Sequence, residues 1–355
     1  MRIAQVAPLF ESVPPGRYGG TERVVSYLTE ELVRQGHEVT LFATADSQTS
    51  ARLVPVVESP LRGDPMWIHH AVIEVEKVFR RSEDFDVIHF HGDGLHYPML
   101  REALTPVVTT LHGRLDLPGL QRLYRVFSHA AVVSISDAQR GPLPHARWVG
   151  TVHHGLPVGL YRPGAGTGGY LAFLGRISPE KRLDRAVEIS RRVGLPLRVA
   201  AKVDPADRTY FEREIEPLLA GPGVEYIGEI GDPEKVDFLG QASALLFPID
   251  WPEPFGLAMI ESMACGTPVL AFRGGAVEEL LRPGVTGAIV DSVDEGVAAL
   301  PGVIALDRTR CRREFERRFS VDRMAKEYVA MYEQLIDAGR DAGQAGWSAE
   351  AASHG

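Results

Sequence analysis

The sequence predicts an α/β protein of two doubly wound domains, each a parallel sheet with helices on both faces, with a cleft between them. Three observations carry this reading. Apolar strand-like runs alternate with amphipathic helix-like stretches in the first half, the alternation restarts in the second half, and a Gly- and Pro-rich stretch at 155–169 separates the two. At 355 residues the chain also exceeds what one core ordinarily supports. The expected divisions are 1–157, 168–320, a closing helix at 321–339 and a tail at 340–355.

The elements follow in order. A first strand at 3–9 leads through a Pro- and Gly-rich loop to a helix at 21–35, whose apolar stripe is Val24, Val25, Leu28, Leu32 and Val33. Thr21 reads as its cap and Gly36 as its stop. Further strands read at 39–43, 87–90, 107–111 and 131–135, and in the second half at 171–174, 197–200, 224–227, 244–247, 269–272 and 287–290. The closing helix carries Met324, Tyr328, Met331, Tyr332 and Leu335 on one side. From Gly339 the chain is small, polar and rich in Gly and Ala, a composition expected to be disordered. In this architecture binding sites collect at the carboxyl ends of the strands.

Composition narrows the function. A 45% apolar and 24% charged chain is an ordinary soluble enzyme composition, and a net charge of -9 argues against general nucleic-acid binding. Cys265 and Cys311 are the two cysteines, too few for a disulfide framework or a Cys-based metal site. The N-terminal apolar run is too short for a signal peptide, and no segment has the roughly 18 apolar residues needed to span a bilayer. The expected location is the cytoplasm, with peripheral membrane contact left open.

The stretch 244–272 is the most informative. An apolar strand leads by a short loop to a short helix, and two glutamates bracket the helix's beginning. Pro254 keeps Glu253 out of the helix, which should begin near Phe255 or Gly256. Glu261 falls four residues after Leu257, on a face otherwise apolar, where a carboxylate is expensive unless partnered. Alone it reads as a salt-bridged structural glutamate. With Glu253 at the helix entrance, a natural phosphate site, the pair also suits a ligand carrying phosphates between two sets of hydroxyls, such as a nucleotide sugar.

The spacing Glu253-x7-Glu261, with Pro254-Phe255-Gly256 after the first glutamate, resembles glycosyltransferase family 4, the retaining nucleotide-sugar transferases of the GT-B fold with two Rossmann-like domains. The resemblance implies that Glu253 holds hydroxyls of the donor sugar, that Glu261 holds the ribose, and that Phe255, Gly256 and Leu257 belong to the donor site. It also raises motifs that are weak alone. Gly19 and Gly20, by themselves a turn, would meet the distal phosphate. Arg176 and Lys181, by themselves a solvated turn, would clamp the diphosphate. His112, at a strand end, would stand beside the transferring sugar. The family usually has Gly after the lysine, where this chain has Arg182, which leaves the turn's geometry open. It commonly shows a Gly-rich turn where this chain has Ala201-Lys202-Val203, which leaves nucleotide selection and the role of Lys202 open.

Two further patterns point elsewhere. His89 and His91 share one face of a strand without a third ligand nearby, which suits acceptor-pocket lining or packing. Asp84-Phe85-Asp86 matches an Asp-x-Asp metal pattern but precedes a strand, away from the cleft, and reads as solvated loop. The expectation is therefore a metal-independent, cofactor-free hexosyltransferase of carbohydrate biosynthesis. Its donor would be a UDP- or GDP-sugar and its acceptor a sugar, a lipid-linked molecule or a small molecule. The alternatives are a nucleotide-sugar epimerase on the same architecture and a non-catalytic nucleotide-sugar-binding subunit.

Overall fold

The computed structural model describes the chain except residues 93, 354 and 355, with side chains to residue 340. Seven strands form the first sheet: β1 Arg2–Val6, β2 Glu38–Thr44, β3 Arg52–Val57, β4 Val87–Phe90, β5 Val107–Thr110, β6 Ala131–Ser134 and β7 Arg147–Thr151. All pair parallel in the order β3-β2-β1-β4-β5-β6-β7. Six strands form the second: β8 Leu171–Ile177, β9 Leu197–Val203, β10 Val224–Gly228, β11 Ala244–Phe247, β12 Val269–Phe272 and β13 Gly287–Val290. They too are parallel, in the order β10-β9-β8-β11-β12-β13. The central strands are buried on both faces, as β4, β6, β11 and β12 show throughout their lengths.

The structure departs from the sequence reading at identifiable places. β3 and β7 were not anticipated because Pro55 and Gly150 interrupt their patterns; both are edge strands, where such residues are tolerated. β8 and β9 run three residues further than expected, so Gly175, Arg176 and Lys202 lie within strands. Thr21 is not a cap. Gly19 takes that position at φ +150°, and a Cβ there would meet Pro15 Cβ at 2.8 Å, so a glycine makes the entry and Thr21 lies inside helix Gly20–Arg34.

The linker and the chain's return run side by side. Leu156 N donates to Phe319 O at 2.8 Å and Val321 N to Leu156 O at 2.9 Å, and a Cβ on Gly155 would stand 2.4 Å from Ser320 O. Beyond this crossing the last helix, Val321–Ser353, packs Met324, Ala325, Tyr328, Met331 and Tyr332 against Ile3, Val24, Leu28 and Val108 of the first domain. Gly339 does not end that helix, and the expectation of a disordered tail falls almost wholly on residues whose side chains lie outside the description. Among the described residues no helix is long and apolar enough to cross a membrane.

Candidate active site

Strand order reverses twice, between β1 and β4 in the first sheet and between β8 and β11 in the second. Chain segments diverge from the carboxyl ends of the strands at such points and leave a crevice. A cavity of about 710 Å³ opens there, lined from both domains. Gly19 and Gly20 reach it from the cap and first residue of helix Gly20–Arg34, His91 and His112 from the ends of β4 and β5, Arg176 and Lys181 from β8 and its turn, and Glu253, Phe255, Gly256 and Leu257 from the segment after β11. Of the residues expected to meet the donor, Glu261 alone is absent from this wall.

On the second-domain side, Glu253 is buried and ion-paired with Lys181. Trp251 Nε1 donates to Glu253 Oε2 at 2.9 Å, and the Lys181 ammonium lies 4.9 Å from the Trp251 ring and 5.4 Å from that of Phe247. Sequence reasoning passed over Trp251, although an indole two residues before the glutamate was visible. It also passed over Gly275. At φ +55°, this glycine places a virtual Cβ 2.1 Å from Glu253 O, so no other residue lets the loop behind Glu253 close. Arg176 donates to Glu180 Oε1 at 2.6 Å and lies 3.6 Å from Asp207, leaving it half-buried at the rim. The helix starts at Leu257, one residue later than expected, with Gly256 at φ +94° as its cap.

Arg182 keeps the turn that a glycine would make. It is the one non-glycine residue with positive φ among those described, at φ +50° and ψ +51°. That conformation costs roughly 1 kcal/mol. Donation from Arg182 to Asp184 at 2.9 Å and to Asp250 at 2.6 Å holds it.

On the first-domain side a buried hydrogen-bond chain ends at His112. Gln5 Nε2 donates to the Tyr332 hydroxyl at 3.1 Å, so its Oε1 accepts from His91 Nε2 at 2.6 Å. His91 Nδ1 is then the acceptor for His112 Nε2 at 3.0 Å, which fixes the tautomer of both rings. Burial drives the His112 pKa down to about 3, and His91 and His89 also fall well below the ordinary histidine value, so these rings are neutral at pH 7. The alternatives left for the histidine pair divide between them. His91 lines the cavity, whereas His89 is packed, bonded to the Tyr332 hydroxyl at 2.6 Å and to Thr110 Oγ1 at 2.7 Å.

Glu261 sits outside the cavity in a network that bridges the domains. Lys235 Nζ donates to it at 2.8 Å and the Tyr161 hydroxyl at 3.1 Å. Lys235 also lies 3.4 Å from Asp232, which is ion-paired with Arg23 of the first domain and accepts from the Tyr27 hydroxyl at 3.2 Å. The structure therefore satisfies Glu261 as an ion-paired buried carboxylate, the first of the two roles its sequence position left open.

Glu22, inside the Gly-Gly-Thr-Glu motif, also lines the cavity, and burial raises its carboxyl pKa to about 7. The folded state then holds a proton that the unfolded chain has released. Stability from this group is complete below about pH 4.5 and is lost as pH rises to about 7, on the order of 3 kcal/mol. Glu22→Gln should flatten this part of a thermal-unfolding profile across that window; an unchanged slope would exclude Glu22 as its source.

Asp84 and Asp86 are not brought to the site. Asp86 lies at the amino end of β4 and binds Arg2 at 2.8 Å. Lys202 is not in the cavity wall but lies 4.9 Å from the ring of Tyr18, a first-domain residue that is. Among the described residues no three His, Cys, Asp or Glu side chains are grouped to hold a metal ion.

Comparison with known proteins agrees with this architecture. Residues 164–304 match the family model described as glycosyl transferases group 1, and residues 18–140 the model described as glycosyltransferase family 4. The phosphatidyl-myo-inositol mannosyltransferase of Mycolicibacterium smegmatis is 27% identical over 96% of this chain and 95% of its own. Among solved structures, AviGT4, a glycosyltransferase involved in avilamycin A biosynthesis, superposes with a TM-score of 0.73 at 25% identity, covering 95% of this chain and 98% of that one. Anabaena HepE in complex with UDP and glucose gives 0.72 at 17% identity over 94% and 100%.

Proposed function

The chain belongs to the group 1 and family 4 glycosyltransferases and has the GT-B fold, and from that premise we propose that it moves a hexose-type sugar from a UDP- or GDP-sugar to its acceptor with retention and without a metal ion. The observation that carries this is the meeting of Arg176, Lys181 and Glu253 with Gly19 and Gly20 across one cavity between the two sheets. Arg176, Lys181 and the helix entrance at Gly256 and Leu257 neutralise the leaving diphosphate from positions set before reaction. Glu253 receives the sugar's hydroxyls, and His112 stands beside the ring as a neutral hydrogen-bonding group. The family resemblance supports front-face departure and attack through an oxocarbenium-like state. It also supports Glu261 as the ribose contact. The mannosyltransferase relatives and the UDP and glucose held by HepE narrow the donors to be tried first.

Screening UDP-, GDP- and ADP-sugars for thermal stabilisation tests the donor class. A ligand at 100 times its dissociation constant adds about 2.7 kcal/mol, and a chain unmoved by all of them overturns the proposed UDP- or GDP-sugar donor. With the stabilising donor, turnover should persist in excess EDTA. Loss in EDTA restored by magnesium or manganese would return attention to Asp84 and Asp86.

A further inference from the structure

Helix Trp67–Phe79 buries Val78 and packs Val75 and Phe79 against the first domain, yet it breaks the usual pattern at four positions. Ile68, Val72 and Ile73 are 42%, 56% and 48% exposed, whereas Glu74, on the same helix, is 7% exposed. A surface helix placed for its own stability turns apolar residues inward and carboxylates outward. One oxygen of the inward carboxyl finds no donor: Glu74 Oε1 is out of solvent with no hydrogen-bond partner among the described residues, and burial, offset only in part by the Lys77 charge, holds the group well above the ordinary carboxyl range. Leaving such a group unsatisfied is destabilising.

Glu74 lines the same cavity as the candidate site, on a wall of different character. The second domain supplies Arg176, Lys181 and Glu253, while the first, besides its polar residues such as Glu22 and His112, supplies an apolar group of Phe10, Trp67, Val75, Leu95, Leu120 and Leu123. Phe10 and Trp67 form an aromatic corner with ring centroids 5.3 Å apart. A hexose can stack one face on an aromatic ring, but a wall that adds Val75 and three leucines to Phe10 and Trp67 suits an apolar body better than a polyol, so we read this half of the cavity as the place of what receives the sugar. Within it, an unpartnered carboxyl is suited to a hydroxyl arriving on an otherwise apolar body.

We propose that Glu74 is the polar anchor of the acceptor subsite and that the acceptor is a hydroxylated apolar aglycone, a ring or chain system held by the aromatic and leucine wall, rather than a free polyol. This rests on the glycosyltransferase reading of the same cavity. Glu74 accepts the aglycone's hydroxyl proton in a hydrogen bond and takes no part in donor binding.

The test titrates the full chain calorimetrically with 7-hydroxycoumarin, coumarin and myo-inositol, in wild type, E74Q and E74L. 7-Hydroxycoumarin should bind wild type and E74Q alike and E74L at least tenfold more weakly. Coumarin, lacking the hydroxyl, should bind wild type and E74L equally, and myo-inositol should give no saturable signal. E74L should also unfold at a higher temperature than wild type, the reverse of what a structural residue gives. Equal affinity of wild type and E74L for 7-hydroxycoumarin, or Glu74-dependent binding of myo-inositol, overturns the proposal. So does a lower unfolding temperature in E74L with equal loss of both coumarins. Nucleoside diphosphate binding, measured alongside, separates the two readings. If it is present while the coumarin contrast is absent, only the acceptor assignment fails; if it is absent while the contrast holds, the glycosyltransferase reading of this cavity fails.

Discussion

Lys181→Ala should weaken nucleoside diphosphate binding roughly hundredfold and also lower stability by a few kcal/mol, whereas Arg176→Ala should do only the first. Both cations line the cavity and both would face the diphosphate. Their surroundings differ. The Lys181 and Glu253 side chains are 18% and 9% exposed, so removing the ammonium leaves a carboxylate buried without a counter-charge. Arg176 and its partner Glu180 are 32% and 24% exposed, where water screens what is left behind. Adding Glu253→Gln to Lys181→Ala should recover stability without recovering affinity, since an amide needs no cation. Calorimetric titration with UDP and GDP, beside thermal unfolding, reads both effects. Unchanged nucleotide affinity in both single variants would remove the diphosphate clamp.

The central strands and the cavity wall were legible because local chemistry and position coincide there. Short apolar runs bounded by turn residues can only be buried parallel strands when helices alternate with them, and a strand's carboxyl end then places Gly19, His112 and Lys181 without further information. What stayed hidden depended on contacts distant in sequence. Gly275 is a turn glycine until the fold lays it on Glu253, and Gln5 is an ordinary strand residue until Tyr332 comes back across the first domain to orient it. Arg182 shows the opposite case, a local rule overridden: the left-handed turn suggests glycine, but Asp184 and the distant Asp250 hold an arginine there. Glu74 was hidden because its helix was not read from the sequence; Trp67, Ala71 and Val78 share its face at helical spacing, and a carboxyl among them is a signal that a leucine there would not give.

The two glutamates should separate when each is replaced by glutamine. Glu253→Gln keeps the side chain's shape and its place beside Trp251, yet removes the charge that receives sugar hydroxyls as the ring develops positive character. Turnover should fall by roughly two orders of magnitude. Affinity for the sugar-free nucleoside diphosphate should hold or tighten, because Lys181 is released from its buried partner toward the phosphates. Glu261→Gln should do the reverse. Hydrogen bonds from ribose hydroxyls to a carboxylate are charge-assisted, so the amide should bind the nucleotide more weakly. Lys235, left with Asp232 alone at 3.4 Å, should also make the variant less stable. Direct binding of the nucleoside diphosphate, steady-state transfer and thermal unfolding together decide the matter. If Glu253→Gln weakens nucleotide binding as much as Glu261→Gln does, the division of labour is wrong. If Glu261→Gln loses stability but keeps full nucleotide affinity, Glu261 is only the anion of the buried network that joins it to Lys235, Tyr161 and, through Asp232, to Arg23 of the first domain.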